Sequence, residues 1–174
     1  MLVHPHRLAQ FNEWANSRLH AACATLPPEA LCTDRGAFFD SILGTLNHIL
    51  LVDLLYRERL EGRSGEFESL AQILHAELPA LSAAQAASDA YYVSITEGLD
   101  GEKLAEPVGF HTLLDEPEYW EVSRGIYFSN LYQHQVHHRG QAHNMLSQAG
   151  LEPPPIGFIE FEVERGENVV RRLS

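Results

Sequence analysis

The feature that most limits what this chain can become is the spacing of its apolar residues, which recur every third or fourth position through long stretches. Leu8, Phe11, Ala15, Leu19, Ala22 and Leu26 mark the first, with Pro5 suited to an opening helical turn and Pro27-Pro28 closing it. Residues 41–61 are apolar over a broad face (Ile42, Leu43, Leu46, Ile49, Leu50, Leu54) and close at Gly62, which predicts a well-buried helix. A third pattern begins near Ser69, meets Pro79 as a kink or a true start, and continues through Leu81, Ala84, Tyr91, Ile95 and Leu99. Residues 103–119, with Pro107, Gly109 and Pro117, lose the period and read as a long connection with extended backbone around 108–113. A fourth helix over residues 122–148 stops before Gly150. In the tail, Ile159, Phe161 and Val163 alternate with Glu160, Glu162 and Glu164, a strand period without an evident partner. The expectation is one domain over residues 1–174: an all-α four-helix bundle with a short non-helical C-terminal tail.

Charge removes several partners. Twelve basic against twenty-four acidic residues give a formal charge of −12, the wrong sign for neutralising nucleic-acid phosphates or anionic lipid. The longest apolar run, residues 49–55, is broken by Asp53 and is far shorter than a membrane span, and the opening MLVHPHR lacks a signal-peptide apolar segment. The reading is a cytoplasmic protein acting on a small molecule, with neither nucleic acid nor membrane as partner. Cys23 and Cys32 match neither a CxxC pair nor zinc-ligand spacing and are read as reduced, mostly packed thiols.

Histidine is over-represented, with ten present against two methionines and two tryptophans. His134 and His138 lie four apart, so on a helix both imidazoles face the same way and can share one metal ion. Tyr127, Leu131, Gln141 and Met145 extend that stripe, which turns the pair inward. His48, midway along the apolar second helix, is the best third ligand, although an imidazole there can also be satisfied by a neighbouring carbonyl. His137 points about 100° away from the pair and reads as surface or supporting. The other histidines have no partner at ligand spacing and read as solvated or locally bonded. Asn130, Gln141 and Asp53 are the groups placed to receive a ligand's second N–H. Gln135 occupies the position of the general base in an HExxH protease, which disfavours peptide hydrolysis. Arg139 and Arg124 read as salt-bridged surface residues, or else as holders of an anionic substrate.

Leu46-Asn47-His48, the run HxxxHRGQ from His134 to Gln141, and Gly150 followed by prolines together resemble the DinB/YfiT-like metalloenzymes, over the chain from the first helix to Pro154. That resemblance implies a four-helix bundle and one divalent transition-metal ion, nickel or zinc foremost, on His48, His134 and His138. It also implies a homodimer packed through helices. Relatives in the wider superfamily use a low-molecular-weight thiol as co-substrate. By that analogy a metal-bound thiol would be deprotonated and presented to a small electrophile, in S-transfer, isomerisation or hydrolysis. The competing reading is a non-catalytic metal-binding stress-response protein. A metal-free interaction module would require His48 to lie apart from the other two histidines. The tail beyond residue 155 has no counterpart in the resemblance.

Overall fold

The computed structural model describes residues 3–63, 67, 69–113 and 116–167. Four long helices, α1 (Pro5–Cys23), α3 (Ile42–Leu60), α4 (Leu78–Thr96) and α6 (Arg124–Gln148), pack side by side. In their principal contacts α1 touches α4 and α6, and α3 touches the same two. The short α2 (Pro28–Cys32) packs on α3.

Local chemistry sets most of the boundaries. Pro5 and Pro79 occupy first-turn positions of α1 and α4, where a missing N–H leaves no bond unmade. Ser41 caps α3 by accepting from the Gly44 N–H, and Ser123 caps α6 by accepting from that of Ile126. The third helix therefore starts at Leu78, and residues 69–77 are not helical. Those residues are tied to α3 instead: Asn47 accepts from the N–H groups of Leu74 and His75 and donates to the His75 carbonyl. The core follows α3, whose residues are buried almost continuously from Ile42 to Val52, and continues through Leu19, Leu81, Leu131, Met145 and Leu146.

The fold is mostly helical rather than all-α. After α5 (Gly101–Ala105), the strands β1 (Pro107–His111) and β2 (Tyr119–Ser123) form an antiparallel pair in which Val108 faces Val122. The extended backbone expected around 108–113 is present there, and its partner strand takes Val122 and Ser123 from the expected start of the fourth helix. Arg59 anchors the pair to the end of α3, donating to the His111 carbonyl and lying over the Phe110 ring.

The tail departs from expectation. It forms α7 (Phe158–Arg165), which ends at Gly166 in the left-handed region, φ 70°. Phe158 and Phe161, three apart, meet Phe11 on α1, and Phe161 also meets Trp14. Arg7 and Arg18 of α1 pair with Glu162 and Glu164. The helical period of the two phenylalanines thus overrides the alternation of Ile159, Phe161 and Val163: packing on α1 buries Phe161 and leaves Ile159 and Val163 exposed.

Candidate metal centre

His48 lies in the first half of α3, and His134 and His138 lie one turn apart on α6. Packing of α3 on α6 brings the three together, with one ligand-capable nitrogen from each within 4.8 Å of the others. Among the described residues no cysteine or carboxylate joins the group.

Hydrogen bonds fix the tautomers of two of the three rings. Nδ1 of His48 lies 2.8 Å from the Leu70 carbonyl, which can only accept, so this nitrogen carries the proton and Nε2 presents its lone pair. Nδ1 of His138 lies 2.8 Å from Gln141 Oε1, while Gln141 Nε2 lies 3.1 Å from His137 Nε2. The amide thus accepts from His138 and donates to His137, leaving His138 Nε2 bare as well. Gln141 alone among the three supporting candidates contacts a triad imidazole: Asn130 bonds Tyr56, and Asp53 bonds Gln85 and Gln135. His134 brings its Nε2 to 2.9 Å from that of His48, and its Nδ1 is buried without a partner among the described residues.

Burial keeps the imidazoles neutral. Desolvation is the main cause for all three, lowering His48 to about 4 and His134 to about 3, with His138 also lowered; the neighbouring imidazoles push His134 further down. Uncharged rings with converging lone pairs are the form a divalent cation needs. The 2.9 Å between His48 and His134 nitrogens also suits ligands of one ion, since two bonds of about 2.1 Å at a right angle end about 3.0 Å apart. The residues present therefore fit a divalent transition metal. Phe39 closes one side, stacked on His48 at 3.8 Å between ring centres and set edge-on to His138 at 5.6 Å.

Beside the triad runs a buried polar network that sequence reading missed. Asp53 on α3 accepts from Gln135 on α6 and, at 2.7 Å, from Gln85 on α4. Asp89 on α4 accepts from Asn12 and Asn16 of α1 at 3.1 and 3.0 Å. Arg139, only 2% exposed, donates to both asparagines and to Gln135. The surface or substrate-binding role expected for Arg139 is thereby corrected; Arg124 does make an ion pair, with Glu106 at 2.8 Å. Burial raises the carboxyls of Asp53 and Asp89, with the charge of Arg139 acting against the rise. The available signal was position: Gln135 and Arg139 are four apart on α6, one step round from the ligand pair.

The remaining histidines have local partners or face solvent. His137 is exposed beside His138, and His143 bonds the Pro154 carbonyl. His20, read as solvated or locally bonded, is buried and bonds Ser82. Cys23 is buried, its thiol pushed up to about 12, and Cys32 is exposed.

The sequence profile of the DinB family matches residues 1–167. The chain belongs to the DinB family. The match runs through α7, so the tail that seemed foreign to the resemblance lies within it. Among solved structures, a DinB-like protein from Bacillus cereus superposes on this DinB chain with TM-score 0.59 at 17% identity, covering 81% of this chain and 89% of that one. A conserved protein from Enterococcus faecalis gives TM-score 0.62 at 18% identity, over 80% and 92%. At these identities the likeness is one of fold. Among curated proteins nothing matches the chain.

Proposed function

We propose that this DinB-family protein binds one divalent transition-metal ion, nickel or zinc, on His48, His134 and His138, and acts as a metal-dependent enzyme on a small electrophile, with a low-molecular-weight thiol as co-substrate. The observation that carries the reading is the convergence of three neutral imidazoles within 4.8 Å, two of them with the second nitrogen fixed on an oxygen. Three protein ligands leave coordination positions open, as in catalytic rather than closed structural sites. A divalent ion bound there would act as a Lewis acid, polarising an electrophile and favouring deprotonation of a thiol or water.

The chain's own contribution is orientation and exclusion of water. Leu70 and Gln141 fix the rings of His48 and His138, and Phe39 keeps solvent from one face of His48. Gln135 cannot serve as a base in this scheme, because it is fully buried and committed to Asp53 and Arg139. Thiol transfer, which draws its nucleophile from the co-substrate, suits a site without a protein carboxylate.

Elemental analysis of untagged protein, beside His48→Ala, His134→Ala and His138→Ala variants, tests the metal. About one ion per chain in the parent and loss in each variant is the expected result. A parent that stays empty after incubation with nickel, zinc and manganese salts would overturn it. Metal-dependent consumption of thiol in the presence of electrophilic acceptors tests the reaction class.

A further inference from the structure

Phe38 is the most exposed large apolar side chain of the described residues, at 84%. A single exposed phenylalanine is ordinary on a protein surface. This one is continuous with the histidine cluster: its ring packs edge to face on Phe39 at 4.9 Å, and Phe39 in turn stacks on His48. Leu70, 41% exposed, joins the same imidazole from another segment, since its carbonyl receives the His48 N–H.

The segment that presents Phe38 is held in place. Asp40 stands at φ 60°, a left-handed conformation uncommon for a residue with a side chain, and its N–H bonds the Ala37 carbonyl at 2.9 Å. Its carbonyl accepts from the Arg35 N–H at 2.8 Å. Beneath the loop, a Cβ at Gly44 would come within 2.2 Å of the Phe39 carbonyl oxygen, so glycine lets the backbone settle onto α3. Strain of this kind, kept next to a cluster of ligand-capable side chains, orients two consecutive rings, one onto His48 and one outward.

We infer that Phe38 and Phe39, held by the loop over residues 35–41, form a two-ring apolar platform beside the histidine cluster, and that Phe38 selects small molecules carrying an aromatic or other apolar group beside a metal-binding head. The inference rests on the metal reading above and names the substrate class of that site. The head group would meet the ion while the apolar portion lies along Phe38. Phe38 is thus a specificity-determining residue with no part in holding the metal.

The test uses cobalt(II)-loaded protein, whose visible spectrum reports ligand exchange, with acetohydroxamate and benzohydroxamate as probes. These share a head group and differ in the apolar portion. The parent should bind benzohydroxamate more tightly, and Phe38→Ala should narrow the ratio of the two affinities by about fivefold, the range of one aromatic pair. Cobalt content, thermal midpoint and acetohydroxamate affinity should stay unchanged in that variant. A ratio unaffected by Phe38→Ala, with cobalt bound and both probes binding, would overturn the inference and leave the metal reading intact. Failure to take up cobalt would overturn both.

Discussion

Replacing Arg139 with methionine isolates the buried network from the triad beside it. Methionine keeps an unbranched stem against Phe11 but removes the donor that serves Asn12, Asn16 and Gln135, and with it the positive charge facing Asp53 and Asp89. Removing one member of a buried charged group costs about 3–5 kcal/mol. For a chain of this size that lowers the midpoint of thermal unfolding by about 6–20 °C. The loss should also depend on pH. Burial raises both carboxyls, so the folded chain keeps protons that the unfolded chain releases above about pH 3.9, and stability from these groups declines as pH rises toward their folded values. Without Arg139 those values rise further and the decline extends to higher pH. The deficit of Arg139→Met against the parent should therefore be larger at pH 8 than at pH 5.5, read by circular dichroism with chelator in both samples. Protonation of the histidines is common to the two proteins and cancels in the difference. A deficit below about 1 kcal/mol, or one equal at both pH values, would refute the assignment of Arg139 as counter-charge to the buried aspartates.

Metal loading should resist acid. With His48 lowered to about 4 and His134 to about 3, protons compete weakly, so occupancy at fixed free metal should persist down to about pH 5; half-loss near pH 6.5, where solvated histidines titrate, would contradict this. Without metal, folded His48 binds fewer protons than unfolded His48 between about pH 6.5 and 4, so its own contribution to stability should fall as pH falls through that window, and the unfolding free energy of the parent minus that of His48→Ala should decline with it; a difference constant across the window would rule this out. Gly44→Ala forces a methyl group against the Phe39 backbone and should cost about 1–3 kcal/mol in denaturant unfolding while weakening metal affinity; unchanged stability would show that the loop yields freely. Phe161→Ala should cost about 3–5 kcal/mol and Ile159→Ala less than about 0.5, since the first is fully buried and the second 75% exposed; similar losses would favour a strand that buries both.

The long helices and the triad were legible because both rest on the same period. An apolar stripe on residues 42–54 and another through Tyr127 and Leu131 identify the facing sides of α3 and α6, and the histidines occupy those sides. What escaped reading depended on partners distant in sequence. Nothing local says that Asp53 will meet Gln85 and Gln135, or that Arg139 will be enclosed by α1. Of the two readings of Pro79, kink or true start, the second holds: apolar residues of the 69–77 segment continue the period, but their backbone is claimed by Asn47 and His48. Strand β1, within the stretch read from sequence as a long connection, is anchored at Arg59, eleven positions and about 16 Å along α3 from His48.

Placement of the polar network on the same helices as the ligands bears on how such a site can diversify. A slide or rotation of α6 against α3 would break the Gln135 bond to Asp53 and pull Arg139 from the asparagines of α1, so accommodation of a guest falls to side-chain rotation and to the segments 33–41 and 69–77 that touch His48. Those segments are connections rather than helices, and sequence change there leaves the buried donors and acceptors paired. On the metal reading proposed above, a chain that keeps the three histidines and the network would change its guest by altering the rim alone, with the scaffold serving as a fixed chassis for interchangeable mouths.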